Sequence, residues 1–278
     1  MIIEQTKKNK TFNGETCYYK HKSVVTGTSM AFSTFEPRPK EEIENAIIWL
    51  SGLTCTEENF ITKSGVQKLL AGTNTMVICP DTSPRGLELD KEHESYDFGS
   101  GASFYLNATT SGYKDHYKMY DYVSIELIEI LKKNFNVKKI SIMGHSMGGH
   151  GALVLALNEI NLFSSVSAFS PIVNPSECSW GRKAFKGYLG EDSDEYSKYD
   201  ATLLIKNKNL RSDKILIDQG LADEFLEKEL LTDNFIQVCN DAGQELEVNY
   251  REGYDHSYFF ISTFLEDHIT HHLNILNQ

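Results

Sequence analysis

From residue 46 onward, short apolar runs alternate with longer amphipathic stretches, and this alternation constrains the fold more than any other feature of the sequence. Consecutive apolar residues bounded by turn-forming residues are typical of strands buried on both faces, as in a parallel sheet. The predicted strands lie at 46–50, 75–79, 139–143, 166–169, 214–217 and 245–250. Apolar residues at three- and four-residue steps indicate helices. The predicted helices lie at 117–135, 149–158, 224–239 and 258–276.

Strands that alternate with helices predict an α/β fold with a mainly parallel sheet. The earlier stretch 23–35 is rich in Val, Thr and Phe and is followed by the first parallel strand without an intervening helix, so we expect an antiparallel strand pair at one edge. The 278 residues contain no internal repeat, linker or low-complexity segment. We therefore predict one domain over residues 1–278. It should have about eight strands and helices on both faces of the sheet.

Composition argues against several classes of function. A net charge of −12 does not suit a surface that binds duplex nucleic acid, which needs clustered Lys and Arg. No apolar stretch approaches the roughly 18–20 residues of a membrane helix, and the N-terminal segment lacks the apolar core of a secretory signal. The five scattered cysteines predict reduced thiols in a cytoplasmic protein. His268 and His272 lack a third ligand nearby, so we interpret them as a solvated helix face rather than a metal site.

The segment GHSMGG joins a predicted strand to a predicted helix. Its G-x-S-x-G pattern alone occurs by chance in roughly one chain in ten of this length, so its context decides its meaning. A sharp strand-to-helix turn would hold Ser146 in a strained backbone with its hydroxyl exposed, and the flanking glycines would let strand and helix approach. The N–H of Met147 is then one expected donor of an oxyanion hole. The alternative is a small-residue turn in which Ser146 caps the helix.

A serine nucleophile needs a base and an acid that orients the base, and in this fold both follow the serine in the chain. His256 lies after a predicted strand and before a helix, at the same sheet edge as Ser146. Asp223 lies in the loop after the strand at 214–217 and is the predicted acid, with Asp218 at the strand end as the alternative acid. The alternative role for both His256 and Asp223 is helix capping.

The loop after the strand at 46–50 predicts the second oxyanion donor. Gly52 lets the backbone approach closely, and the N–H of Leu53 is the natural donor. The alternative is a plain connection in which Thr56 caps a helix. Together with the serine, the base and the acid, this loop predicts an α/β-hydrolase fold and acyl transfer from an ester, thioester or amide.

Several longer segments carry a family resemblance over nearly the whole chain. They are LSGLTCTEENFITKSG (50–65), PDTSPRG (80–86), YDFGSGASFYLNAT (96–109), HYKMYDYV (116–123), GHSMGGHGAL (144–153), FSPIVNPSECSWGRKAFKGYLG (169–190), DQGLADEFL (218–226) and GYDHSYFFI (253–261). Through them the sequence resembles the S-formylglutathione hydrolase family, also called esterase D. The resemblance implies that Ser146, Asp223 and His256 are nucleophile, acid and base. It also implies that Leu53 and Met147 are the oxyanion donors.

The resemblance implies hydrolysis of S-formylglutathione to glutathione and formate, with side activity on small carboxylic esters. It also implies a cytoplasmic homodimer that uses no metal or cofactor and binds a small molecule, not nucleic acid or membranes. The main alternative is a general carboxylesterase of the same fold. Two further alternatives are an enzyme that transfers the acyl group to an alcohol and a non-catalytic binding protein. Tyr96, Ser103 and Ser179 replace a tryptophan, a glycine and a proline of the family pattern, in segments expected to shape the acyl or glutathione pocket.

The resemblance also places Cys55 at the substrate pocket, where thiol modification would block turnover. The alternative for Cys55 is a small buried filler. Trp180 is a candidate for holding glutathione, as are the basic residues that follow it. Those residues are Arg182, Lys183 and Lys186, which we interpret as a solvated basic face.

Overall fold

The computed structural model describes residues 2–191 and 193–278, and within these ranges nine strands form one mixed sheet. The strands are β1 (Glu4–Thr11), β2 (Gly14–Lys22), β3 (Ser29–Glu36), β4 (Asn45–Leu50), β5 (Thr75–Pro80), β6 (Lys139–His145), β7 (Val166–Phe169), β8 (Ile215–Gly220) and β9 (Leu246–Arg251). Their order across the sheet is β1-β2-β3-β5-β4-β6-β7-β8-β9. The first three strands form an antiparallel meander, β3 pairs antiparallel with β5, and the remaining pairs are parallel. The predicted α/β fold with a mainly parallel sheet is confirmed.

Helices cover both faces of this sheet. The α-helices of the described chain are α1 (Glu58–Lys63), α2 (Val66–Leu70), α3 (Met119–Asp121), α4 (Leu127–Phe135), α5 (Met147–Asn158), α6 (Ser179–Leu189), α7 (Ala201–Lys206), α8 (Thr232–Ala242) and α9 (Tyr258–Leu276). Two π-helical turns lie at Tyr122–Glu126 and Leu226–Leu230, and 3-10 turns lie at Lys40–Glu42, Pro175–Glu177 and Asp194–Tyr199. No helix within residues 2–191 and 193–278 has the length and apolar character needed to cross a membrane.

Strand β4 shows why the central strands read as continuous apolar runs. Ile47 and Trp49 face the layer that contains α1, α2 and α9, where the Trp49 ring stacks on Phe60 with ring centroids 3.8 Å apart. Ile48 and Leu50 face the opposite layer, which contains α4 and α5. Because both faces are covered, every residue of β4 is buried. The predicted arrangement of helices on both faces is therefore confirmed.

The antiparallel edge of the sheet is larger than the sequence predicts. The antiparallel pair expected over 23–35 is a strand that begins at residue 29, preceded by the β1–β2 hairpin. β1 is exposed along almost its whole length and carries polar and lysine side chains, as exposed edge strands often do. It has no apolar alternation from which a strand could be predicted, and the sheet is therefore slightly larger than expected.

Several helical regions also differ from the prediction, and the short helices α2 and α7 are among those that have no predicted counterpart. The single helix expected over 224–239 is interrupted at Leu231, whose backbone φ is +56°. A left-handed residue cannot continue a right-handed helix, so a π-helical turn ends there and α8 begins. Helix α6 has no predicted counterpart, because its two glycines lower the helix propensity of the segment. The last helix, by contrast, spans the predicted residues 258–276 and is confirmed.

The carboxyl ends of β4, β6, β8 and β9 meet at one edge of the sheet, because these strands run parallel. The loops that follow them carry residues 52–53, 146, 223 and 256. This edge is where open α/β sheets place their ligand sites. The fold thus brings all the predicted catalytic positions to one place.

Candidate active site

The predicted nucleophile lies in a strained turn between β6 and α5. Ser146 has φ +58° and ψ −121°, a conformation that a non-glycine residue keeps only when its surroundings impose it. Its N–H donates to the carbonyl of Phe169 at 3.0 Å, and its own carbonyl accepts the N–H of His150 at 2.9 Å. A Cβ at Gly148 would lie 1.9 Å from the carbonyl oxygen of Leu50, so only glycine lets α5 approach β4 this closely.

The Ser146 hydroxyl makes no capping bond to α5, so the alternative role as a helix cap is wrong. The residue lines a cavity of about 360 Å³ together with His256. No hydrogen bond joins the two side chains in the described part of the chain. Catalytic hydrogen bonds often tighten only when substrate is bound, and both side chains face the space where a substrate would sit.

The predicted base and acid are in direct contact. Nδ1 of His256 lies 2.6 Å from Oδ2 of Asp223, and the other carboxylate oxygen accepts the N–H of Phe225 at 3.0 Å. The Asp223 side chain is fully buried. Because a carboxylate only accepts, it favours the tautomer with the proton on Nδ1, which leaves Nε2 free to accept a proton.

Two rings hold the imidazole of His256 in place. The Phe225 ring meets it edge-on with centroids 5.0 Å apart, and the His145 ring lies 4.4 Å away. Burial and the neighbouring His256 lower the pKa of His145 well below its usual value. The surroundings of His145 therefore favour its uncharged form.

The alternative acid, Asp218, is committed elsewhere. Its buried carboxylate accepts Nε–H of Arg251 at 2.6 Å and the amide of Asn249 at 3.1 Å, and it lies 3.5 Å from Nε2 of His268. Burial alone would raise the pKa of Asp218, but the hydrogen bonds and charges of His268, Arg251 and Asn249 lower it overall. Asp218 therefore forms a structural ion pair and is not among the hydrogen-bond partners of His256.

The loop after β4 presents a backbone N–H beside the nucleophile. A Cβ at Gly52 would lie 3.1 Å from Cβ of Ser146, so the two chain segments are in close contact. The carbonyl of Cys55 anchors the loop, because it accepts the Thr82 hydroxyl at 2.5 Å and the guanidinium of Arg85 at 3.0 Å.

Both predicted oxyanion donors are at the site. Leu53 and Ser146 line the same cavity, and Met147 is the first residue of α5. Within residues 2–191 and 193–278, the N–H groups of Leu53 and Met147 donate to no protein acceptor. The two predicted donors are therefore unpaired within these ranges, as groups that are to bind a substrate oxygen must be.

The cavity wall includes both predicted pocket residues, Cys55 and Trp180. Cys55 is half-buried, and burial raises the pKa of its thiol. The Trp180 backbone N–H donates to the carboxylate of Glu229 at 3.0 Å, and its indole N–H donates to the Tyr96 hydroxyl at 3.2 Å. Phe225 packs on the indole with ring centroids 4.7 Å apart. The sequence gives no sign that Glu229 accepts the Trp180 N–H, because the two residues meet only through tertiary packing.

The basic residues after Trp180 do not line the cavity. Each is paired with a carboxylate on the surface of the protein. The pairs are Arg182–Glu177, Lys183–Asp97 and Lys186–Glu191. These contacts agree with the interpretation of a solvated face.

Known proteins resemble this chain over its whole length. Residues 23–271 match the model of the Esterase family, described as "Putative esterase". The S-formylglutathione hydrolase of Mus musculus is 49% identical over all of both chains. That of Arabidopsis thaliana is 48% identical, over 96% of this chain and 95% of its own. The structure of an S-formylglutathione hydrolase from Agrobacterium tumefaciens superimposes with a TM-score of 0.94 at 39% identity, covering 98% of this chain and 99% of the other.

The chain belongs to the Esterase family. In this esterase the two histidines of the last helix have no place at the catalytic edge. His268 and His272 are fully buried, and their rings hydrogen-bond at 2.8 Å to Ser167 on β7 and to Ser165 just before it. The interpretation of a solvated face is wrong, because α9 packs this face against β7. Within the described ranges, no group of three or more His, Cys, Asp or Glu could hold a metal ion.

Proposed function

We propose that this esterase hydrolyses S-formylglutathione to glutathione and formate. The full-length likeness to S-formylglutathione hydrolases of mouse and Arabidopsis carries the choice of substrate. The contact between Asp223 and His256, beside a strained Ser146, supports acyl transfer as the chemistry.

In the proposed acylation step, His256 accepts the Ser146 proton on Nε2 while Oγ attacks the formyl carbon. Asp223 keeps the Nδ1 proton in place and stabilises the imidazolium that forms. The N–H groups of Leu53 and Met147 donate to the developing oxyanion. The carbon–sulfur bond then breaks, and glutathione leaves as a thiolate. Its departure needs little protonation, because a thiol is a much stronger acid than an alcohol. The imidazolium then gives its proton to the thiolate sulfur or to solvent, so His256 is neutral again before the second step.

In the proposed second step, water hydrolyses the formyl ester on Ser146. His256 removes a proton from the water as it attacks, and the same two N–H groups stabilise the second oxyanion. Formate leaves, and the proton returns to the serine oxygen. Side chains and backbone donors of the chain carry every step of this scheme.

Steady-state kinetics test this proposal. The comparison is kcat/KM for S-formylglutathione against 4-nitrophenyl acetate, measured on wild type, Ser146→Ala and the control Ser262→Ala, whose serine is exposed on α9. We expect a large preference for the thioester, lost in Ser146→Ala and kept in Ser262→Ala. Equal or better ester hydrolysis that still needs Ser146 would instead identify a general carboxylesterase. Activity that survives Ser146→Ala would contradict the mechanism.

We also propose that the chain is one domain and acts as a cytoplasmic homodimer. A single sheet that joins strands from both ends of the described chain supports one domain. Sedimentation equilibrium checks the assembly: a mass of two chains is expected, and a monomer at all concentrations would contradict the dimer.

A further inference from the structure

The cavity wall carries one ammonium group and no carboxylate. Lys63, at the end of α1, lines the cavity with its Nζ 5.3 Å from the ring centroid of Tyr258. No carboxylate of residues 2–191 and 193–278 forms an ion pair with it. The other cation close to this wall, Arg85, is paired with Asp81 at 2.7 Å. The side chains that line this cavity thus carry a positive formal charge, in a chain whose net charge is −12.

A second donor lies one helical turn before Lys63. Asn59 also lines the cavity, and residues four apart lie on the same face of a helix. Oδ1 of Asn59 accepts the N–H of Thr56 at 2.9 Å, which fixes the orientation of the amide. The amide Nδ2 has no acceptor among the described residues. One face of α1 therefore offers an ammonium and an amide N–H₂ to whatever occupies the cavity.

We propose that Lys63 and Asn59 form a carboxylate-binding subsite for the thiol half of the substrate. This inference rests on the proposed function, because glutathione carries two carboxylates and one ammonium. A carboxylate accepts strong, charge-assisted hydrogen bonds from a cation and an amide. The basic residues after Trp180 do not fill this role, since each already has a carboxylate partner on the surface.

The position of the subsite suits a tripeptide whose central thioester reaches the nucleophile. The ring centroid of Tyr258, the residue in contact with the Lys63 ammonium, lies 6.5 Å from that of His145. The His145 ring in turn packs on the His256 ring, with centroids 4.4 Å apart. An extended tripeptide spans about 10 Å, so a carboxylate at one of its ends can bind several ångströms from a thioester at its centre. The carboxylate would sit away from the reacting carbon, so its binding is the same in the ground state and the transition state. Loss of the subsite should therefore raise KM and leave kcat nearly unchanged.

The test uses an unreactive thioether, S-methylglutathione, as a competitive inhibitor of 4-nitrophenyl acetate hydrolysis. The variants are Lys63→Gln, Lys63→Arg and Asn59→Asp, with Lys68→Gln as the control because Lys68 is exposed on α2. In Lys63→Gln we expect the Ki of S-methylglutathione to rise about tenfold. The KM for 4-nitrophenyl acetate, which carries no charge, should change much less. Lys63→Arg should restore most of the affinity. Asn59→Asp keeps the acceptor for Thr56 but sets a negative charge beside the ligand, so it should also weaken binding.

Converting both carboxylates of the inhibitor to amides tests the same contact from the ligand side. The diamide of S-methylglutathione should bind wild type more weakly, and Lys63→Gln should hardly distinguish it from the free acid. An unchanged Ki in Lys63→Gln, or no inhibition of wild type, would overturn the subsite. The proposed function has its own test. It is refuted if wild type does not cleave S-formylglutathione, whatever the inhibitor shows. If the Ki of Lys63→Gln depends less on salt concentration than the Ki of wild type does, the result supports an ionic contact.

Discussion

Replacing Asp223 and Asp218 separately with asparagine distinguishes orientation of the base from stability of the fold. Both residues follow the same strand, β8, yet only Asp223 contacts His256. In Asp223→Asn the new amide would donate to Nδ1 of His256, so the ring proton would move to Nε2. The imidazole could then no longer accept the proton of Ser146. We expect kcat to fall about 10⁴-fold, as in serine triads whose acid is replaced in this way.

The free energy of unfolding should fall more in Asp218→Asn than in Asp223→Asn. Asp218 is fully buried and pairs with Arg251 at 2.6 Å, and breaking such a pair by neutralising one partner costs about 3–5 kcal/mol. Because the Arg251 side chain is 23% exposed, water takes over part of its charge and the lower figure applies. The Asp223→Asn variant retains an oxygen that can accept the Phe225 N–H, and should lose about 1 kcal/mol.

Urea unfolding and kcat per folded molecule measure both effects on the same samples. The expected pattern is a stable, inactive Asp223→Asn and a destabilised but active Asp218→Asn. An active Asp223→Asn with an inactive Asp218→Asn would assign the acid to the strand end. Equal loss of kcat in both variants would refute the view that the two carboxylates act independently.

Three further predictions concern packing, thiol reactivity and pH. Gly148→Ala places a Cβ 1.9 Å from the Leu50 carbonyl and should cost about 3 kcal/mol in urea unfolding, whereas Gly112→Ala, with nothing within 4 Å, should be neutral; equal stability would contradict the close approach. Burial raises the pKa of the Cys55 thiol, so iodoacetamide should inactivate the enzyme slowly near neutral pH and faster as the pH rises. Full activity after verified labelling of Cys55 would contradict the prediction that modification of this thiol blocks turnover. Burial lowers the pKa of His150 from 6.5 to about 4, so the unfolded chain binds more protons between these values. Its contribution to stability, about 3 kcal/mol at most, should be present above pH 6.5 and decline toward pH 4, and an unchanged pH slope in His150→Gln would contradict this.

The sequence predicts those parts of the fold in which burial is periodic. Strands covered on both faces, such as β4, appear as continuous apolar runs, and α9 shows its amphipathic spacing over its full length. β1 escapes prediction because an exposed edge strand is held mainly by backbone hydrogen bonds, which leave no apolar pattern. The break at Leu231 escapes as well, since its left-handed backbone depends on the surrounding packing rather than on the residue type.

For the site, chain order and loop position were enough to predict Ser146, His256 and, with Asp218 left as the alternative, Asp223, because the fold limits where each role can lie. Contacts between distant segments were not accessible in the same way. Glu229 reaches Trp180 from 49 residues further along the chain, and no local pattern announces such a pairing. The burial of His268 was missed for the same reason, because a polar residue facing a core can be recognised only when its partner Ser167 is in place.

The proposed site differs from its surroundings in how its polar groups are satisfied. Trp180, in the cavity wall, has a partner for its backbone N–H in the carboxylate of Glu229. In the part of the chain that the structure describes, the groups without a hydrogen-bond partner include the Ser146 hydroxyl, the N–H groups of Leu53 and Met147, the amide Nδ2 of Asn59 and the Lys63 ammonium. Leaving a buried donor unpaired costs about 1–3 kcal/mol, so the buried ones among these groups destabilise the free protein unless a ligand restores their bonds. Their arrangement suits one kind of ligand: an acyl oxygen at the two N–H groups and a carboxylate at Lys63. A bound acyl compound that lacks the carboxylate would leave the ammonium unpaired, and the site should therefore favour anionic thioesters over neutral esters.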